Sequence, residues 1–190
     1  MRPAIEIPAF QIVPLRGLPI VAAIFLALIV AIAANRIWPL MFLHVAFGAA
    51  WTIVDLFLGF VIGPLIHRLS IPARIELTVR LMPKMVLIMP TVVTVTLAAG
   101  WQLGHRMGFV DSAYYHHDWI VASYIVVGIM AVVALGLLEP ANIAVLTELK
   151  KPQPRPAVIE KLMKRFVYAA GITGAMQIAI LVIMTRIASG

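Results

Sequence analysis

The chain has 190 residues, of which 63% are apolar and 12% are charged. A soluble globular domain has about 25% charged and about 45–50% apolar residues, so this composition excludes a water-soluble fold. It also excludes a disordered chain, which combines low hydrophobicity with high charge. The absence of cysteine excludes disulfides, iron–sulfur clusters and a cysteine nucleophile.

Five apolar runs are long enough to cross a membrane, since a helix needs about 20 residues to span about 30 Å of hydrocarbon. The runs cover residues 18–34, 40–66, 85–104, 119–138 and 166–185. Unpaired backbone groups in lipid cost several kcal/mol, so each run is predicted to be a helix. The sequence therefore predicts an all-α, polytopic transmembrane helix bundle that forms a single domain over residues 1–190.

Basic residues predict the orientation of these helices. If the amino terminus is cytoplasmic, 12 of the 15 Lys and Arg residues fall in inner segments, as the positive-inside rule requires. We therefore expect a multi-pass protein of a cell membrane, most simply a prokaryotic inner membrane, whose net charge of +7 holds anionic lipid headgroups. The basic residues are dispersed and have no interleaved stacking platform, so we expect no nucleic-acid partner.

The first run also has features of a cleavable signal peptide. Arg2 and Arg16 precede it, and it contains small residues near its end, at Ala31 and Ala33. We expect this segment to be retained as the first transmembrane helix.

The inner connections are predicted to be short and to contain no second domain. Residues 70–84 are predicted to form an interfacial helical segment, and Pro140 is placed at the end of the fourth helix. Three prolines make KKPQPRP a linker, followed by a short basic surface helix at Val158–Arg165.

Two carboxylates fall within or beside the apolar runs. Asp55 lies 15 residues beyond Leu40, about 22 Å along a helix. Translocon scales place the cost of a central Asp at about 2.5–3.5 kcal/mol, so we expect Asp55 to face other helices. Its role is either an interhelical hydrogen bond, to a Thr or to Gln177 for example, or proton or ion handling. Glu139, near the inner boundary, is interpreted as a snorkelling or capping carboxylate, with a proton relay as the alternative.

Four histidines are predicted to gather at the outer membrane face, namely His44, His105, His116 and His117. Neutral imidazole is the commonest protein metal ligand and also ligates haem iron. One interpretation is a haem b with His44 and one of the other three as axial ligands. A second is a copper site formed by His105, His116 and His117 with Met107, whose thioether suits Cu(I). A third is interfacial histidines without a ligand, and spacing does not decide among the three.

Small residues mark two possible helix-contact surfaces. Gly59 and Gly63 form a GxxxG pair in the second run, and Ala170 and Gly174 have the same spacing in the fifth. Such pairs allow the backbones of two helices to approach closely. They are therefore candidate contacts with a membrane-protein partner or with a second copy of the chain.

The stretch LHVAFGAAWTIVDLFLGFVIGPLIHRL, with the later MPTVVTVTLAAGWQLG, resembles the CopD-like and DUF2269-like integral membrane proteins. The resemblance covers about residues 41–105 and is carried by Leu43, His44, Trp51, Gly59, Pro64, Pro90 and Gly100. It implies a small helical membrane fold, related to copper-handling and haem-binding proteins, with His44 as a ligand. Asp55 departs from the pattern, which has a small or apolar residue there, and the first helix is an additional element.

These observations predict an integral membrane protein that holds a haem b or a metal near its outer face, for electron transfer or cofactor handling. We expect the isolated chain not to be an enzyme. One alternative is a structural or assembly subunit of a larger membrane complex, with no cofactor of its own. Another is a proton-coupled transporter that uses Asp55 and Glu139.

Overall fold

A computed structural model describes residues 7–189 of the chain, so the expectation for Arg2 lies outside the described residues. Within this range the regular structure is entirely helical. Five of the helices are long and apolar enough to cross a membrane, which confirms the predicted all-α bundle with five spans. The cytoplasmic position of the amino terminus stays a prediction.

We number the five long helices α1 to α5. Helix α1 is Leu18–Ala34, and α3 and α5 are the uninterrupted helices Ile71–Arg106 and Pro156–Ala188. Helices α2 and α4 each contain a π-helical segment, in which the turn is one residue wider than in an α-helix. Helix α2 consists of Ile37–Leu56, the π segment Phe57–Ile62 and Gly63–Arg68. Helix α4 consists of His117–Val133, the π segment Ala134–Leu138 and Glu139–Leu149.

Helices α3, α4 and α5 are longer than the apolar runs from which they were predicted. Helix α3 has 36 residues, a length of about 54 Å, against about 30 Å of hydrocarbon. Residues 70–84 are therefore not a separate interfacial segment, because all but Ser70 form the first part of α3. Likewise, Val158–Arg165 is the beginning of α5.

Pro140 does not end the fourth helix, contrary to the prediction. It lies in the first turn of the helical segment that follows the π segment of α4, and this segment continues to Leu149. The helix continues through Pro140, directly after the π segment in which the regular hydrogen-bond pattern is already altered.

The parts of α3, α4 and α5 that continue beyond the predicted apolar runs share a hydrophobic core, which we call the inner core. Its buried members are Val79, Met82, Val145, Leu146 and Leu149. Side chains from the beginning of α5 and from the amino-terminal segment pack against them, including Ile159, Leu162 and Phe10. This end of the bundle is thus closed by apolar packing.

Asn35 forms the tight turn between α1 and α2 and ties it to α3. Its backbone is left-handed, with φ of 47°, a conformation that Asn tolerates better than most residues. Gln102 donates a hydrogen bond from Nε2 to the Asn35 side chain at 3.0 Å, and Arg106 donates from Nε to the Asn35 carbonyl at 3.2 Å. The end of α3 and the turn between α1 and α2 therefore lie at the same end of the bundle.

The predicted small residues bring α2 and α5 together within the chain. A Cβ atom on Gly59 would lie 3.1 Å from the carbonyl oxygen of Ala170, and one on Gly63 would lie 3.1 Å from Val167. Gly174 is equally close to the ring of Phe60, at 3.2 Å. Because these residues already meet one another, a contact with a partner chain would use another surface. Partner binding itself stays a prediction.

Candidate functional site

A cavity of about 1340 Å³ lies between α2, α3, α4 and α5, in the half of the bundle that carries the connection between α3 and α4. Its wall is largely apolar and includes Trp51, Leu97, Met130 and Ile180. The polar side chains in the wall are those of His44, Thr52, Thr94, Thr96, Gln102, Ser123, Tyr124, Gln177 and Thr185. The cavity therefore suits a large apolar ligand with a few polar atoms.

His44 is the only one of the four predicted histidines that lines this cavity, among the residues that the structure describes. Its Nδ1 donates a hydrogen bond to the backbone carbonyl of Thr96 at 3.0 Å. A carbonyl only accepts hydrogen bonds, so this contact places the proton on Nδ1 and leaves the lone pair on Nε2. Histidine ligands of metals are commonly oriented in this way by a backbone carbonyl.

Gly100 makes the position of the His44 ring possible. A Cβ atom at residue 100 would lie 2.5 Å from His44 Nδ1 and 2.6 Å from Cε1. The space beside the nearby glycines is also filled by the chain's own side chains, with Thr96 against Gly48 and Tyr124 against Gly104. By contrast, Gly128 lines the cavity and has nothing within 4 Å of an added Cβ.

The other three histidines lie at the same end of the bundle but are held by their own segments. His105 Nδ1 donates to the Trp101 carbonyl at 2.9 Å, and His117 Nδ1 contacts the Asp111 carbonyl at 3.1 Å. His116 is buried, with its ring centroid 4.2 Å from that of Tyr115.

Across residues 7–189, no group of three or more His, Cys, Asp or Glu side chains converges where it would hold a metal ion. Of the predicted ligands, only Met107 joins His44 in the cavity wall. The proposed set of His105, His116 and His117 is therefore not assembled as a metal site here.

Asp55 lies directly behind the cavity wall and is 1% exposed. The Gln177 amide donates from Nε2 to Asp55 Oδ2 at 3.3 Å, and the Thr52 hydroxyl donates to Gln177 Oε1 at 2.8 Å. The predicted interhelical contact between Asp55 and Gln177 is thus confirmed. Thr52 and Gln177 line the cavity, so they separate the carboxylate from its interior.

Trp51 contributes a polar atom that the sequence analysis did not identify. Its side chain is 2% exposed and lines the cavity, and its Nε1 forms no well-aligned hydrogen bond. A buried N–H is costly to leave unpaired, and the acceptor that this one approaches is the Asp55 carboxylate. We call Trp51, Thr52, Asp55 and Gln177 the polar floor of the cavity. In the sequence, Trp51 stood out by its position deep within an apolar run and as one of the residues that carry the family resemblance.

Glu139 lies where the π segment of α4 meets the following α-helical segment, and its predicted snorkelling or capping role stays a prediction. It directly follows the π segment of α4, ten residues before Leu149. Its Oε1 is buried without a partner, as is Oδ1 of Asn142 one turn later. Asn142 Nδ2 donates to the Met82 carbonyl at 3.2 Å, which joins α4 to α3.

Glu148, which the sequence analysis did not identify, anchors the connection between α4 and α5. Its side chain is 5% exposed and forms ion pairs with Lys151 and with Arg155, whose Nε lies 2.9 Å from Oε1. Hydrogen bonding to Glu148 raises the pKa of the Arg155 guanidinium. Pro152 and Pro154 thus lie in a connection whose two ends are held together by Glu148.

Comparisons with protein-family models, curated proteins and solved structures found no match for this chain. The resemblance to CopD-like and DUF2269-like proteins stays a prediction.

Proposed function

We propose that this protein binds haem b in the cavity, with Nε2 of His44 as a ligand to the iron. The observation that carries the proposal is the His44 ring itself. Its Nδ1 is held by the Thr96 carbonyl, it lines a cavity of about 1340 Å³, and its Nε2 makes no hydrogen bond to the described residues. A fixed imidazole with a free nitrogen, on a residue that lines an apolar cavity, fits the requirements of haem ligation.

The dimensions and chemistry of the cavity support this ligand class. Sites for drug-sized ligands have about 300–1,000 Å³, so the volume is sufficient for a porphyrin. The apolar wall suits the macrocycle, and Gln102 and Thr185 supply polar contacts at the same end of the bundle. A bound haem would supply one-electron chemistry, for which this chain provides the ligand and the apolar surroundings.

The proposal differs from the predicted bis-histidine haem in the residue that would be the second protein ligand to the iron. None of His105, His116 and His117 lines the cavity, whereas Met107 does. Haem iron is held by a single histidine in globins and by a histidine and a methionine in cytochromes c. We therefore propose His44 as the essential ligand and Met107 as the candidate for the second position.

Haem titration of the purified protein tests this proposal. Unmodified protein in detergent should give a Soret band with haemin, and His44→Ala should lower haemin affinity by about tenfold or more. His105→Ala is the matched control, because His105 is exposed and outside the cavity wall, and it should bind haemin normally. Imidazole added to His44→Gly should restore the band and so separate ligation from folding.

Two results would contradict the proposal. One is the absence of a Soret band in folded, unmodified protein. The other is equal haemin affinity in His44→Ala and the unmodified protein. A colourless protein without copper that co-purifies with fixed partners would instead favour the structural or assembly subunit.

A further inference from the structure

We infer that Asp55 exchanges protons with the cavity. The side chains of Thr52 and Gln177 form the gate between the Asp55 carboxylate and the cavity interior. The inference deepens the proposed function, since a proton site beside a bound cofactor would couple proton uptake to the cofactor's charge. Its first test does not require haem.

The burial of Asp55 is the first step of the argument. Within the described residues no ion pair reaches Asp55, and the donors around it are Gln177, at 3.3 Å, with Trp51 and Thr173. A carboxyl group at this depth has no counter-charge, so a change in its protonation is sensitive to its surroundings. Exchange with the charged form then depends on access to a proton donor or acceptor.

The surroundings of Asp55 contain few groups that titrate. Helix α5 presents Gln177, and α3 contributes apolar side chains to the adjoining core, Met89, Val92 and Val93. The titratable groups that line the cavity itself are His44 and Tyr124. No Asp or Glu of the described residues lines the cavity, and Asp55 is connected to it through the lining residues Gln177 and Thr52.

Trp51 supplies a second observation. Its buried Nε1 forms no well-aligned hydrogen bond, and the acceptor that it approaches is the Asp55 carboxylate. Because an indole N–H can only donate, Trp51 faces Asp55 as a donor from the cavity wall. The carboxylate is thus reached from the cavity side by Trp51 as well as by Gln177.

The gate is defined by two hydrogen bonds. Gln177 accepts from Thr52 at 2.8 Å and donates to Asp55 at 3.3 Å, so its side chain must leave both partners to expose the carboxylate. The π segment Phe57–Ile62 begins two residues after Asp55, and such segments are frequent at functional sites. In the exchange step, a hydronium ion in the cavity loses a proton to form water, and an Asp55 oxygen gains it. No electron moves.

Labelling with dicyclohexylcarbodiimide tests the inference on the full-length protein in detergent. This apolar reagent reacts with protonated carboxyl groups, and mass spectrometry locates the product. We expect Asp55 to be labelled at a rate that falls as pH rises. Asp55→Asn should abolish the label, and Gln177→Ala should raise the labelling rate of Asp55 several-fold by opening the gate.

Glu139 provides the matched control, because it is the other carboxylate placed inside the apolar bundle. Glu139→Gln should leave the labelling of Asp55 unchanged. The inference is overturned if Asp55 stays unlabelled while Glu139 reacts in the same sample. It is also overturned if Gln177→Ala does not change the labelling rate of Asp55.

A second measurement uses the haem-loaded protein. If Asp55 takes up a proton on reduction, the midpoint potential should fall by up to about 59 mV for each tenfold decrease in proton concentration. Asp55→Asn should retain the Soret band and flatten this dependence. A missing Soret band would contradict haem binding alone, whereas a Soret band with equal pH dependence in both proteins would contradict the role of Asp55.

Discussion

Single residues without a functional side chain determine the geometry of the cavity. Gly100 is the clearest case, because the His44 ring occupies the space in which any other residue would place its Cβ. The hydrogen bond from His44 to Thr96 therefore depends on a hydrogen atom at residue 100. A glycine in an apolar helix predicts close packing, but only the structure identifies the side chain that fills the space.

Substitution of Gly100 by Ala tests this dependence. Gly100→Ala should destabilise the protein by about 1–3 kcal/mol, the usual cost of overpacking a filled site, and should weaken haemin binding by displacing His44. Gly128→Ala is the control, because nothing lies within 4 Å of an added Cβ there, and it should be neutral or slightly stabilising. Thermal unfolding in detergent provides the comparison, and equal shifts for the two variants would contradict the role of Gly100.

Polar residues that are rare in apolar runs could be identified from the sequence. Residues whose role depends on contacts between separate helices could not. Asp55 and Gln177 were recognised because a polar side chain in hydrocarbon needs a partner. The buried Nε1 of Trp51 and the buried carboxylate of Glu148 were missed, since each depends on which helices pack beside it. The histidines lie at one end of the bundle, as predicted, but not in one site. Local backbone carbonyls hold His105 and His117, and His116 is buried beside Tyr115 outside the cavity wall.

At the scale of helices, composition predicted their number but not their ends. Hydropathy marks the apolar run, whereas a helix ends where its hydrogen bonding is interrupted, so the more polar residues 71–84 continue the helix beyond the run. The π segments left no recognisable pattern in the sequence. Each one adds a residue to a turn, which rotates all later side chains by about 100° relative to a regular helix. Faces calculated from sequence alone therefore hold only up to Leu56 in α2.

The connection between α4 and α5 provides the prediction at this scale. Glu148→Gln should remove the charge that holds Lys151 and Arg155 and weaken the contact from the Arg155 backbone N–H, now 3.2 Å from Oε1. Amide hydrogen exchange over residues 150–155 should then become several-fold faster.

Glu160→Gln is the matched control for this measurement. Glu160 pairs with Lys164 on an exposed surface, and exposed pairs contribute only about 0–1 kcal/mol. Exchange in residues 150–155 should remain unchanged in this variant. Identical exchange in both variants would show that Glu148 does not anchor the connection.

At the scale of the molecule, the composition was sufficient to predict the architecture. Few charges, long apolar runs and the need to satisfy every backbone group in lipid leave a helix bundle as the solution. One end of the bundle is closed by the inner core and the other contains the cavity, and this difference could not be predicted from composition. Packing of the inner core requires side chains from α3, α4, α5 and the amino-terminal segment, which are far apart in the sequence.

The absence of cysteine makes the predicted orientation directly measurable. Tyr115→Cys, at a residue that is 79% exposed, should react with a membrane-impermeant maleimide on intact cells. Lys161→Cys, also at an exposed residue, should react only after permeabilisation, because it lies at the opposite end of the bundle. Labelling of both residues from outside would contradict a five-span topology, and labelling of Lys161→Cys alone would reverse the orientation.

The packing of the inner core limits the passage of molecules along the bundle. Val145 and Leu146 are fully buried at that end, whereas the opposite half contains the large cavity. The described part of the bundle is thus packed at one end and hollow at the other. A molecule in the cavity could pass to the opposite end only if the helices that form the inner core separated.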